Sequence, residues 1–203
     1  MEGDSALIIT EQIVGNRWYH TSLASVSWAT SSIRQYLNNT FFNTFTVSDR
    51  ARILDTTLVN HSNPWDWSEA GGHVRTSGGA NTTDRIFLLS INEVLRYFGD
   101  SSFTVRGAGM GANERLANEP DWPAFGTYSW GIHDQFNSAR VVRNAAGTAV
   151  WWWLRTPGDM PQFAASIHYN GQIYLRGNDV FMPGAPGGGV RPALWLSLIG
   201  LQT

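Results

Sequence analysis

The chain has 203 residues, 42% of them hydrophobic, with 14 basic and 16 acidic side chains and a formal net charge of −2. That length supports a sizeable core in a single domain over 1–203, and the near-balanced charge lacks the basic footprint of a nucleic-acid binder. Cysteine is absent, which excludes disulfide stapling, thiolate metal ligation and a cysteine nucleophile. No apolar run approaches the ~18 residues of a membrane-spanning helix, and residues 1–10 lack the basic region and long apolar core of a signal peptide. Ten Trp beside 21 Gly point to irregular segments pinned by large aromatic anchors rather than to long helices.

Residues 6–10, ALIIT, suit a first strand, with 12–14 continuing it after a break. Ser31 or Ser32 is placed to cap a helix that carries Ile33, Tyr36 and Leu37 on one stripe and ends at Asn38-Asn39. Ser48 is placed to cap a second, short helix in which Ala51, Ile53, Leu54 and Leu58 approximate helical spacing. Residues 61–84 are rich in turn formers yet hold Trp65 and Trp67, the mark of an ordered excursion tacked down by indole rings. Residues 85–89, RIFLL, read as a buried strand. Ser90 and Glu93 form a capping box that opens a helix through Val94, Leu95 and Phe98 to a stop at Gly99. Residues 107–137 mix turn formers and aromatics without periodicity and read as a long irregular surface region. Residues 141–147, VVRNAAG, are a strand and turn.

The rest of the chain is organised around 151–196. Trp151, Trp152, Trp153 and Leu154 read as a buried strand stopped by Thr156, Pro157 and Gly158. Residues 190–196 alternate as a strand with unlike faces, and Pro192 makes it an edge or bulged one. Between these, Asn170-Gly171 signals a hairpin. A three-residue loop with a left-handed Gly171, pairing His168 with Gln172, fits the apolar pattern better than a two-residue turn. It places Ala165, Ile167, Ile173 and Leu175 on a core face and Ser166, His168, Gln172, Tyr174 and Arg176 on the opposite, candidate binding face.

Other motifs favour bland readings. Residues 103–111, FTVRGAGMG, lack the βαβ context of a dinucleotide site, and 183–189, PGAPGGG, lack the Lys-Ser/Thr of a phosphate loop and read as a flexible or tightly turning connector. His20, His61, His73, His133 and His168 are dispersed without metal-ligand spacing, and Asp66, Glu69, Asp134, Asp159 and Asp179 match no calcium loop. No GxSxG elbow occurs. The expectation is therefore no metal, no cofactor and no catalytic set.

Four stretches carry a resemblance: Trp28, Ser31, Ile33, Arg34, Tyr36, Leu37 and Asn38; DRIFLLS at 84–90 with Glu93; WWLRTPG at 152–158; and GVRPAL at 189–194. Together they resemble a bacterial domain of unknown function related to the C-type lectin fold. Several such domains are similar to the variable proteins of diversity-generating retroelements. In those, a reverse transcriptase copies a template with adenine-directed errors into the last segment of the gene, and the diversified side chains form the ligand site. The resemblance covers most of the chain and implies an α+β fold of the C-type lectin type, with a small twisted antiparallel sheet, two or three helices and extensive ordered loops.

It also implies that Ala164, Ala165, Gly171, Gly177 and Val180 are fixed. The variable, ligand-binding segment is then about 151–196, and its ligand-contacting positions are Asp159, Met160, Gln162, Phe163, Ser166, His168, Tyr169, Gln172, Tyr174, Arg176, Asn178, Asp179, Phe181 and Met182. The implied function is recognition of a macromolecular ligand, a protein, at a cell surface or phage particle reached through segments outside this chain. The competing readings are a structural surface module that is not diversified and an enzyme related to sulfatase-maturation proteins. The catalytic cysteines of formylglycine-generating enzymes have no counterpart here, nor do the disulfides and the EPN or QPD sugar motifs of animal C-type lectins.

Overall fold

A computed structural model describes residues 3–64, 75–99 and 131–199. Expectations for Trp65, Asp66, Trp67, Glu69 and His73, for the glycine loop at 103–111 and for most of 107–137 lie outside the described residues. The class is mixed α+β, with few helices and several small, mostly antiparallel sheets.

The first strand, β1 (Ser5–Ile9), stops short of 12–14, which join no strand; Val14 N instead donates to Val190 O at 2.9 Å. After β2 (Asn16–Arg17) comes the helix expected behind Ser31. It is α1 (Ser32–Tyr36), with Ser31 Oγ accepting from Arg34 N at 3.3 Å. It does not end at Asn38-Asn39, because a wide turn, Leu37–Phe41, and a tight one, Phe42–Thr44, continue it. The Asn38 side chain, which could otherwise compete with the helical backbone, is engaged elsewhere. It donates to Arg34 O at 3.1 Å and Ile86 O at 2.8 Å, and accepts from Arg85 N at 2.8 Å.

The second helix, α2 (Val47–Arg50), is capped by Thr46 rather than Ser48: Thr46 Oγ1 accepts from Asp49 N at 3.2 Å. Helical spacing misleads beyond Arg50, since Ile53 bridges to Leu196 and Leu58 belongs to β3 (Thr56–Leu58), paired with β4 (Thr82–Asp84). Asp84 explains why two of the resembling stretches belong together. Its buried carboxylate accepts from Trp28 Nε1 at 2.9 Å, Arg34 Nε at 2.7 Å and Thr82 Oγ1 at 2.8 Å, so burial leaves it fully partnered.

Residues 86–89 are wholly buried, as expected, but 85–89 do not form a strand. Only Phe87 makes a bridge, to Ala193, while Leu88 O and Leu89 O accept from Arg155 Nη1 and Arg155 N, each at 3.0 Å. The backbone is satisfied without a ladder. The capping box then opens α3 (Ile91–Phe98): Ser90 N donates to Glu93 Oε2 at 2.8 Å and Glu93 N to Ser90 Oγ at 3.2 Å.

Within the described end of 107–137, β5 (Gly131–Ile132) is a strand where irregular chain was expected. A single helical turn, α4 (Asn137–Arg140), follows and leads to a hairpin of β6 (Val142–Arg143) and β7 (Ala149–Val150). The Trp run continues as β8 (Trp152–Pro157), which goes past the expected stop at Thr156. The candidate hairpin is β9 (Phe163–Ile167) and β10 (Ile173–Asp179). The connector at 183–189 is not merely a turn, since it ends in β11 (Gly188–Gly189), paired antiparallel with β2 and bridged in parallel to β8. Residues 190–192 remain outside the last strand, β12 (Ala193–Ser197), because Pro192 has no N–H to give a ladder and its carbonyl accepts from Thr10 N at 3.2 Å.

A six-stranded sheet, in the order β2-β11-β8-β9-β10-β5, holds the site, and β1 pairs with β12 beside it. Trp152, Ile167, Ile173 and Ile132 share one rung and join the core; Trp153, Ser166, Tyr174 and Gly131 share the next and face the other way.

Candidate functional site

The turn of the β9–β10 hairpin has the expected register. His168 N donates to Gln172 O at 2.8 Å, Gly171 N donates to His168 O at 2.9 Å, and Gly171 has φ +85°, left-handed as a bulged three-residue loop requires. The loop is also held from below. Arg140 Nε donates to Gly171 O at 2.8 Å, and a Cβ at position 171 would collide with Asn137 O. The wholly buried Arg140 guanidinium is itself paired with the Asp134 carboxylate and donates to Asn137 Oδ1 at 2.6 Å.

Past Tyr174 the ladder slips. Tyr174 pairs with Ser166 but Asn178 pairs with Ala164, so β10 carries two residues more than β9 over that span. Gly177, at φ +79°, makes the bulge, and a Cβ there would strike Ala164 O. Asn63 pins it by donating from Nδ2 to Leu175 O at 2.8 Å and to Pro157 O at 2.9 Å. Tyr174, Arg176, Asn178 and Asp179 all line one cleft.

That cleft has a volume of ≈330 Å³, and Phe163, Tyr174, Arg176, Asn178, Asp179 and Met182 contribute to its lining. Trp18, Trp151, Gly177 and residues 185–187 complete it. Arg176 Nε lies 3.7 Å from Asp159 Oδ2 and its guanidinium is 5.9 Å from the centre of the Phe163 ring. His168 extends the surface from the turn, with its ring centred 4.7 Å from that of Tyr174 and 6.2 Å from that of Tyr169. Phe181 packs against Trp18 at 5.5 Å between ring centres, and Met160 and Tyr169 are exposed. Gln162 is half-buried, and its Nε2 lies 3.6 Å from Met160 Sδ.

Two of the expected surface residues are not on the surface. Ser166 and Gln172 point away from the core face as alternation requires, yet both are buried. Ser166 lies on the central strand between Trp153 and Tyr174, and its Oγ accepts from Asn178 Nδ2 at 2.8 Å, so it is roofed by its own rung neighbours. The Asp159 carboxylate is likewise almost entirely covered beside Arg176.

Burial pushes His168 below the ordinary imidazole value, so the ring is neutral at pH 7. Burial also raises the Tyr174 phenol, with Arg176 opposing and Asp159 adding to the rise, so it remains a neutral hydroxyl. The surface therefore offers aromatic faces, neutral hydrogen-bonding tips and one Arg partly balanced by carboxylates, a mixture suited to contacting a partner. No group of three or more potential metal ligands occurs among the described residues.

The sequence pattern of a family described as a domain of unknown function (DUF6273) matches residues 3–198. The chain belongs to that family. No curated protein and no solved structure matches it. The DUF6273 match includes the whole candidate segment together with Trp18, a cleft wall that hydrophobic periodicity gives no means of finding. Trp18 lies just past β2, in the stretch that leads to α1, and its only sequence signal is a bulky ring where no core strand or helix is in phase.

Proposed function

We propose that this chain is a diversified ligand-recognition domain on a C-type lectin-type scaffold, whose segment 159–182 binds a macromolecular ligand, a protein. One observation carries the reading. Ala164, Ala165, Gly171, Gly177 and Val180, the positions the retroelement resemblance treats as fixed, are all buried, whereas most intervening positions reach the surface or the cleft. Exchange at the exposed members of the second set is expected to leave the hydrogen bonds and close contacts of the first intact. Phe163, Tyr169, Tyr174 and Arg176 are residue types on which interface affinity commonly concentrates.

The decisive experiment is to sequence the DNA flanking the gene. The expected result is a near-repeat of the codons for 159–182, with adenines at the variable positions, close to a reverse transcriptase gene. Flanks without such a repeat would assign the domain to fixed recognition or to a structural surface role.

A further inference from the structure

A second cleft, of ≈380 Å³, adjoins the first, and Trp18 and Pro186 line both. Its floor and walls come from residues outside the candidate segment except for Phe181: Arg17 on β2, His20, and Ser32 and Tyr36 on α1. Arg17 differs from the arginines that hold the fold. Arg34, Arg140 and Arg155 pair with Asp84, Asp134 and Glu93, whereas Arg17 is exposed, has no carboxylate partner among the described residues, and lies 3.5 Å over the centre of the Tyr36 ring.

We infer that this second cleft is an oxyanion subsite, binding a carboxylate or phosphoryl group carried on an apolar body. Stacking on Tyr36 fixes the plane of the Arg17 guanidinium and leaves its N–H edge open, and that planar fork matches a carboxylate or phosphate in two parallel hydrogen bonds. No acidic residue lines the cleft to compete, unlike the first cleft, where Asp179 stands with Arg176. His20 Nδ1 is hydrogen-bonded to Ser32 Oγ at 3.0 Å, which orients the ring and leaves Nε2 as a further polar group at the cleft. Trp18, Ile33 and Phe181 supply the apolar wall for the body of the ligand. Because the clefts share Trp18 and Pro186, one ligand can place its anionic end at Arg17 while the candidate segment contacts the remainder. The subsite stands whether or not that segment is diversified.

The test is a nitrogen-15 NMR titration of the whole chain with phenylacetate, phenyl phosphate and the neutral phenylacetamide. Saturable shifts of the Trp18 indole and Arg17 Nε–H signals with either anion, and none with the amide, are expected; the tighter anion identifies the source of the oxyanion. Arg17→Ala should weaken binding by about tenfold or more, and Arg17→Gln, which keeps a polar side chain and removes the charge, should do likewise. Arg143→Ala, at an exposed position that lines neither cleft, should leave it unchanged. The inference is overturned if neither anion saturates, if phenylacetamide binds equally, or if folded Arg17 variants bind as the parent does.

Discussion

The two faces of the β9–β10 hairpin follow one alternation and end in different surroundings. Ala165, Ile167, Ile173 and Leu175 on the core face are uniformly buried. On the opposite face Ser166 and Gln172 are 0% and 3% exposed, while Tyr169 in the turn reaches 62% and Met182, farther along the segment, 50%. Alternation fixes which way each Cβ points, whereas the water a side chain meets depends on what the flanking strands place beside it. Trp153 and Tyr174 stand on either side of Ser166, so this face has a dry centre and a wet rim.

The largest effect tests whether that dry centre is core in energy as well as in geometry. Trp152 and Trp153 point to opposite faces and are both fully buried, and each Trp→Ala change should cost about 3–5 kcal/mol in urea denaturation. A mild Trp153→Ala beside a severe Trp152→Ala would mean that only one face is core. Arg140→Ala should also lower the denaturation midpoint strongly, by about 3–5 kcal/mol, because it leaves the buried Asp134 carboxylate unpaired. Amide exchange at 168–172 should accelerate in that variant, since Gly171 O loses its donor; unchanged exchange would show that the loop holds itself.

Smaller effects separate centre from rim. Ser166→Asn inserts volume under Tyr174 and should cost about 1–3 kcal/mol, whereas Tyr169→Asn and Met182→Asn should each stay within about 0.5 kcal/mol by thermal denaturation. Equal costs would erase the distinction. The smallest effect is a pH dependence. Burial holds His168 below its ordinary 6.5, so the unfolded chain takes up the proton first as pH falls. Its contribution to stability is complete above the unfolded value and is lost as pH falls through the folded one. Melting measured from about pH 7.5 down to about pH 5 should decline less steeply in His168→Asn than in the parent.

Local signals were the legible ones. The Ser31 cap, the Ser90–Glu93 capping box and the Gly171 loop are each decided within a few residues by hydrogen bonds that neighbours in sequence supply. What the sequence left hidden depends on distant partners. Residues 85–89 look like a strand but are served by Arg155, Ile53 leaves a helical pattern to reach Leu196, and Ser166 is covered by β8. The candidate site was legible as a segment, while its second wall was not. Trp18 and Trp151 meet the segment only once β2, β11 and β8 are adjacent.

β12 is also where early parts of the chain converge: it pairs with β1 from Ser5↔Ser197 to Ile9↔Ala193 and bridges to Ile53 and Phe87. Contacts so far apart along the chain form slowly, because loop-closure entropy is lost before any pairing rewards it. At a ribosome adding ~5–20 residues per second, β1 leaves the synthesis site roughly 10–40 s before β12 exists. Through that interval Leu7 and Ile9 have no partner strand, and the last long segment made before β12 arrives is 159–182. A substitution there that is harmless in the finished fold can still lower yield, by engaging β1 before its own partner has been made.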